Sequence, residues 1–560
     1  MSTPWVNFPD GSHSENAELA GKLQPRRDDP NALITIPSLL AASVAEHPDK
    51  PALGIIQAGI LTWRTWFELA GDVRCVEQQL LSRGIDHADR VVQLAPNSYE
   101  WILTDLAVLG LGAVHVPLHM SLSAEQIAEQ LDLADAKLLV VSNPKQGILG
   151  SGKVARVTHG ELLSHKTIPQ SEFRNPHSTD LATILFTSGT TGRARGVMLS
   201  HGNLTSNAIA TAEAVGSPRE EIRLCFLPLS HSYARTCDLY TWLYRGSRLV
   251  LAESRETILR DCQLVRPTAI NGVPYFYQKI AHQLFASGQS NVQGSLNSLL
   301  GGEIRLCCCG GAGVAPETER VFLEQGLPLL AGYGLTEAGP VVSATNIANY
   351  SSGSVGRPLE GVEVRIADGG EILVRGPNVM QGYWRDEAAT RAAFDQDWLR
   401  TGDLGELDDT GNLRIVGRCK EILVLSTGKN VSPTSVERCL WDSPLVENVC
   451  VVGEGKPMLG ALIVPNPNAL RSAIRAERLW VWSRKRAVTH PKVRELFRRE
   501  IDRLLIGRSR EEQIGPFAIL DRNFEQAHGE ITAKFSLRRE TIVRNFSQVI
   551  ADMYRSLTKG

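Results

Sequence analysis

TILFTSGTTGRARGVMLSHGNL, residues 183–204, opens on apolar residues, breaks into small, hydroxylated and basic ones, then returns to an apolar run ahead of a helix start. Ser188, Gly189, Thr190, Thr191 and Gly192 offer backbone N–H groups and three hydroxyls on chain that glycine lets fold closely around an anion. A polyphosphate suits such a cradle. The Walker arrangement is excluded, because there a GK[ST] runs straight into a helix, whereas Arg193, Ala194, Arg195 and Gly196 lead into VML, a further strand. Alone, the segment reads sooner as a plain Gly-Thr surface turn. Its companions decide.

Around it, RVVQLAP, KLLVVS, ATILFTS, SRLVLAE and IRLCCCGG read as short strands buried on both faces and separated by longer helical patterns, which predicts layered α/β subdomains. From Gly356 the texture changes to Gly-punctuated pieces, VEVRIADGGEILVRG and GELDDTGNLRIVGR, whose GG and TG pairs mark hairpins of a β-rich subdomain. Strand-like residues around Val449 and Leu462 and a helical stretch to about Arg510 complete a small α+β C-terminal unit. The boundary falls at Gly417 to Lys420, giving a polar, partly disordered lead-in over 1–30, a large domain over 31–417 and a small one over 418–560.

The 560 residues are too many for one core. With 43% hydrophobic and 21% charged residues and a formal net charge of −2, the composition is that of a soluble globular protein and gives no sign of nucleic-acid binding. Ten cysteines without a CxxC pair read as reduced thiols of a cytoplasmic protein. The most apolar stretch, WILTDLAVLGLGAVHVPLHM from Trp101, is broken by Asp105 and His115 and reads as a buried helix and strand, so no transmembrane segment is expected.

Four further stretches carry chemistry. AGYGLTEAGP (331–340) places a tyrosine, a threonine and a carboxylate among glycines, and CCGGAGVAP (308–316) runs a strand into a glycine turn where a flat ring can lie on bare backbone. LRTGDLG (399–405) supplies Asp403, and IVGRCKEI (415–422) supplies Arg418. In this order and spacing the set resembles the adenylate-forming (AMP-binding) superfamily of acyl-CoA synthetases, luciferases and peptide-synthetase adenylation domains, over about residues 35–545. LPLSHSYAR (227–235), GVPYFYQKI (272–280), STGKNVSPTSVE (426–437) and GKPMLGALIVPN (455–466) bring it nearest to bacterial fatty acyl-CoA ligases.

The resemblance implies a two-step ligase that uses ATP, Mg²⁺ and coenzyme A. A fatty carboxylate attacks the α-phosphorus of ATP, and a thiol then displaces AMP. Thr187, Ser188, Gly189, Thr190, Thr191, Gly192 and Arg195 would hold the β- and γ-phosphates, and Glu337 would ligate Mg²⁺. Tyr333, Gly334 and the turn Gly310, Gly311, Ala312 would enclose adenine, with Thr336 near the α-phosphate. Asp403 and Arg418 would hold the ribose, His231 would line the acyl pocket, and Lys420 would be the hinge of a mobile lid. The thiol belongs to coenzyme A or, alternatively, to an acyl-carrier protein; a third reading is a non-catalytic adenylate-binding protein.

Two departures stand out. Ala194 and Arg195 replace the proline and lysine usual in the phosphate loop. In GEITAKFSLRRETI (529–542) the place of the family's adenylation lysine falls on Ser536, leaving Lys534 two residues earlier to serve. If that stretch is extended, the two side chains share a face. Finally, residues 471–510 carry thirteen Arg or Lys against four acids. Val493, Leu496, Phe497, Ile501 and Leu504 fall at helical spacing there, an amphipathic pattern that suits either a solvated helix or contact with a membrane surface or coenzyme A phosphates.

Overall fold

The computed structural model describes residues 35–143, 154–164, 176–188, 194–216, 220–286, 292–481, 483–525, 527–531 and 537–555. The lead-in, the tip of the phosphate loop at 189–193 and the stretch 532–536 with Lys534 and Ser536 lie outside the described residues.

Two mixed sheets carry the parallel strands of the large domain. One has nine strands, of which six neighbours run parallel: Leu329–Gly334, Leu306–Cys309, Ala269–Gly272, Ile222–Cys225, Arg248–Leu251 and Pro51–Gln57. Antiparallel strands close both margins. The other has seven strands, with Leu181–Ser188, Val114–Pro117, Arg90–Leu94, Leu138–Val141 and Ala155–Thr158 parallel. The inner strands Val114–Pro117, Leu138–Val141 and Ala269–Gly272 are buried throughout, as parallel strands covered by helices require, while the edge strand Ala155–Thr158 is partly exposed. Leu181–Ser188 turns back into Ala194–Ser200, pairing Thr187 with Arg195 and Ser188 with Ala194. Ser200 then caps helix His201–Val215 in a reciprocal bond with Asn203.

The apolar stretch from Trp101 is part of helix Tyr99–Gly110 followed by strand Val114–Pro117, and among the described residues no helix is long and apolar enough to cross a membrane. An antiparallel five-stranded sheet spans Glu363–Arg418, with hairpins at Gly369-Gly370 and Thr410-Gly411. Beyond it, two apolar clusters draw only on residues from Leu423 onward and surround strands Val446–Val452, Leu459–Pro465 and Ile514–Ile519. The apolar side of helix Pro491–Leu504, through Val493, Phe497 and Ile501, is turned into this core. That side is therefore unavailable to a bilayer, and the membrane reading of this helix is corrected.

Helix Pro433–Trp441 seats the C-terminal unit on the large domain. Gln278 Nε2 donates to the Trp441 carbonyl (3.2 Å), and the Glu317 N–H donates to Asp442 (3.1 Å). The Arg438 guanidinium lies so close over Gly313 that a Cβ there would fall within it. Space for the end of the Arg438 side chain, rather than a left-handed backbone, is what glycine supplies at 313.

Candidate functional site

The site residues gather at the C-terminal ends of the parallel strands, where open α/β sheets bind ligands. Strands Leu306–Cys309 and Leu329–Gly334 are neighbours, with Cys309 opposite Ala331, so the turn Gly310, Gly311, Ala312 and the residues Tyr333 and Gly334 emerge side by side. Gly311 has φ +85°, which favours glycine. Gly310 has another reason, since a Cβ there would strike the ring of Tyr233.

Asp403 is buried on strand Trp398–Leu407. Its Oδ2 accepts from the Tyr333 hydroxyl at 2.7 Å and its Oδ1 from Arg418 Nε at 2.7 Å. Arg418 reaches it because the two residues are cross-strand partners. Burial and then the Asp403 charge push the Tyr333 phenol up, so it stays a donor. Burial opposes the Arg418 charge, but Asp403 outweighs it and holds the guanidinium above its ordinary value.

Glu337 occupies the short turn Thr336–Ala338. Its Oε1 accepts from the Tyr383 hydroxyl at 3.0 Å, and its carbonyl accepts from the Met380 N–H at 2.9 Å. Tyr383 was not singled out by sequence reasoning. It is brought in by pairing with Val197 on the second strand of the phosphate hairpin, and strand register between distant segments leaves no signal in spacing. Arg195 lies over the Tyr383 ring, 5.6 Å from its centroid, with Nε 3.9 Å from Asp386. An arginine at the family's lysine position therefore has an aromatic platform, which its planar cation exploits better than an ammonium. Burial, then Glu337, raise the Tyr383 phenol as well.

His231 precedes the short helical turn Ser232–Ala234 and stacks beside His119, rings 4.5 Å apart. Ser232 Oγ lies 3.4 Å from Thr336 Oγ1, tying this segment to the Glu337 turn. The chain continues as a π-helix, Arg235–Tyr240, with all six residues buried. The Cys237 carbonyl in this wide turn accepts from Arg223 Nη1 (2.5 Å), Asn271 Nδ2 (3.0 Å) and Thr241 Oγ1 (2.6 Å). π-turns cluster at functional sites; this one is held from the nine-stranded sheet by Arg223 and Asn271.

From the other side it is held by a buried ion pair. Arg235 Nη2 contacts Asp105 and donates to His115 Nδ1 (2.8 Å), while Nη1 donates to Thr183 (2.8 Å) on the strand that enters the phosphate loop. His115 Nε2 meets Gln93 Oε1 at 2.8 Å, and Gln93 Nε2 meets His159 Nε2 at 2.9 Å. His115 Nδ1 also lies 2.8 Å from Asp105 Oδ1, so it faces both the carboxylate and the guanidinium, while Nε2 donates to Gln93 Oε1 and the Gln93 amide donates to a neutral His159. Burial lowers His115, and it carries His159 down to about 4. For Asp105 burial acts upward, but Arg235 and His115 outweigh it and the carboxyl lies below its usual range.

Lys420 is exposed on the turn Cys419–Glu421. Ile531 and Leu537, which flank the Lys534 stretch, pair antiparallel. Just beyond, Arg539 donates to both oxygens of Glu437 (2.6 and 3.0 Å) and lies 3.8 Å from Glu421, beside Lys420. Arg539 is thus tied to the turn that bears Lys420.

Residues 40–384 match the family model described as AMP-binding enzyme, and residues 420–558 match the AMP-binding enzyme C-terminal domain. The chain is 31% identical over 591 aligned positions to the long-chain-fatty-acid–CoA ligase FadD15 of Mycobacterium tuberculosis, covering 92% of this chain and 97% of that one. It is 32% identical to a feruloyl-CoA synthase of Amycolatopsis over 75% of this chain and 87% of the relative. Among solved structures, O-succinylbenzoate coenzyme A synthetase of Bacillus subtilis in complex with ATP and magnesium is similar at a TM-score of 0.73 and 25% identity, covering 90% of this chain and 98% of that one. The anthranilate CoA ligase AuaEII with anthranoyl-AMP shares the fold at a TM-score of 0.78 and 18% identity, covering 94% and 100%.

Proposed function

This chain belongs to the AMP-binding enzyme family and is an AMP-forming acid–thiol ligase, and from that premise we propose that it activates a medium- or long-chain fatty acid and passes it to coenzyme A. The observation that carries this reading is the convergence, at one end of neighbouring parallel strands, of a pre-paired ribose acceptor, Asp403 with Tyr333 and Arg418, and a half-occupied carboxylate, Glu337. The 31% identity to a long-chain fatty-acid ligase over nearly both chains supports the acyl class.

In the first half-reaction a carboxylate oxygen bonds to the α-phosphorus of ATP as the bond to pyrophosphate breaks, a displacement governed by positioning and charge neutralisation. Asp403 accepts from ribose hydroxyls, and Arg418, held against it, orients the same sugar. The hairpin from Thr187 to Arg195 cradles the outer phosphates. Glu337 fits a Mg²⁺ ion: it is a hard carboxylate whose Oε1 is fixed by Tyr383, with no hydrogen bond to Oε2 from the described residues. A Mg²⁺ ion held by Glu337 would supply neutralisation of phosphate charge. Lys534 supplies the positive charge beside the α-phosphate in this half-reaction. In the second, the thiol sulfur bonds to the acyl carbon, AMP leaves and the thiol proton passes to solvent, after the small domain turns about Lys420.

The Tyr233 ring over Gly310, together with the Phe226–Phe276 pair (centroids 4.6 Å apart, planes tilted by 45°), favours a second reading in which the acid is an aryl one. Competition among palmitate, octanoate and ferulate separates the two. The main test is Lys534→Ala. Formation of acyl-AMP is expected to fall roughly a hundredfold or more, the scale for one positioned electrostatic group, while thioester formation from supplied acyl-AMP is unchanged. Ser536→Lys in that background is expected to rescue part of the loss. ADP in place of AMP and pyrophosphate overturns the adenylation reading.

A further inference from the structure

The cations of the small domain are not all alike. On helix Pro491–Leu504, Arg498 pairs with Asp502 and Arg503 with Glu500. The corner between residues 471 and 486 differs: it holds six Arg or Lys against the single acid Glu477. Among the described residues these six cations take part in no ion pair, whereas Glu421 and Glu437 before them pair with Arg539. Arg471 and Arg475 project from helix Pro467–Ala476, whose Leu470 and Ile474 face the core, and Lys485 and Arg486 project from helix Arg484–Thr489, whose Ala487 and Val488 are buried. Arg478 lies on the turn joining them. Arg484 keeps Nε and Nη2 shielded from solvent without a hydrogen-bond acceptor among the described residues.

At the centre of this corner stands Trp480, 86% exposed, the most exposed of the large hydrophobic residues described. Its direction follows from its neighbours: Leu479 and Val481 pack on the small-domain core, and the residue between them is turned outward. An indole in water beside a row of cations is poorly placed for solubility but well placed for the headgroup region of a bilayer, where its apolar body and polar N–H meet matching surroundings. Basic residues with an aromatic anchor are the composition by which peripheral proteins hold anionic membranes. The chain as a whole carries −2, so the attraction is confined to this corner.

We propose that the corner from Arg471 to Arg486, with Trp480 as its anchor, docks on an anionic lipid surface. The proposal is independent of the acid and thiol assigned above. It replaces helix Pro491–Leu504, whose apolar side is buried, with an element that presents its apolar group outward.

The test is co-sedimentation of the full chain with vesicles of phosphatidylcholine alone or mixed with phosphatidylglycerol. Binding is expected only to the mixed vesicles and is expected to weaken as salt rises, because exposed charges are screened beyond roughly 10 Å at 0.1 M. Each of Arg475→Gln and Lys485→Gln is expected to weaken it roughly fivefold, the worth of one cation near such a surface. Trp480→Ser should lose binding that salt cannot restore, with unchanged thermal melting showing that the fold is intact. Equal sedimentation with both vesicles, or Trp480→Ser binding as the parent does, overturns the proposal. So does patch-dependent binding to a purified acidic carrier protein with no binding to lipid, which would make the corner a protein-docking surface.

Discussion

Asp403 and Glu337 are both carboxylates at one end of the same sheet system, yet they are built oppositely. Asp403 is buried and both its oxygens are taken, by Tyr333 and Arg418, on strands that fix all three side chains. Glu337 is half-buried on a three-residue turn, with one oxygen tied to Tyr383. The first carboxylate is finished by the protein and accepts a ligand by sharing bonds already aimed. The second keeps an oxygen without a hydrogen bond from the described residues, which is where the proposed function places a cation. A site can therefore be rigid for the part of a nucleotide that never reacts and incomplete where charge must be neutralised.

Substitutions that exchange these characters break or sharpen the contrast. The largest effect is expected from Asp403→Ala, which strands Arg418 and Tyr333 together. Pre-steady-state acyl-AMP formation should fall roughly a hundredfold or more, and added Mg²⁺ should not recover it. Glu337→Gln should cost roughly tenfold or more, with weaker binding of Mg·ATP but not of AMP in calorimetry; a mutant as indifferent to Mg²⁺ as Asp403→Ala would erase the distinction. Tyr383→Phe removes one neutral donor to a charged acceptor and should weaken Mg·ATP binding by roughly tenfold. Arg195→Lys should have the smallest effect of these substitutions and should keep it in a Tyr383→Phe background, because phenylalanine retains the ring under Arg195 and loses only the donor to Glu337.

A smaller, global effect follows from the buried histidines behind the site. His159 and His201 are carried down to about 4 by burial, so the unfolded chain takes up their protons first. The stability each contributes is intact above the unfolded value near 6.5 and drains away as pH falls toward 4, by up to about 3 kcal/mol per histidine. Melting temperature should drop across that window, and His201→Gln should flatten its part of the slope.

The sequence carries local facts well. Doubly buried strands, the GG and TG hairpins and the strand–loop–strand form of 183–200 are all legible, because burial and turn chemistry act over a few residues. Asp403 and Arg418 were recognisable by motif, though not as cross-strand partners. What escaped was long-range pairing: Tyr383 reaches Glu337 across 46 residues, and Arg235 reaches Asp105 across 130. Asp105 read only as an interruption of an apolar stretch, whereas it is the counter-ion of the turn beside His231. The π-turn has no spacing signature, since its extra residue is held by Arg223 and Asn271 from other strands.

Gly313 translates into a statement about populations. The Arg438 guanidinium occupies the volume that a side chain at 313 would claim, so in this arrangement of the two domains any larger residue must displace the end of that arginine. Each 1.4 kcal/mol removed from the seat of helix Pro433–Trp441 shifts the ratio of this pose to all others tenfold, whichever half-reaction it serves. One added methyl group, Gly313→Ala, should therefore appear as a redistribution between inter-dye distances in single-molecule energy transfer with the fold of each domain unchanged, and catalysis would be retimed from a position that touches neither acid nor nucleotide.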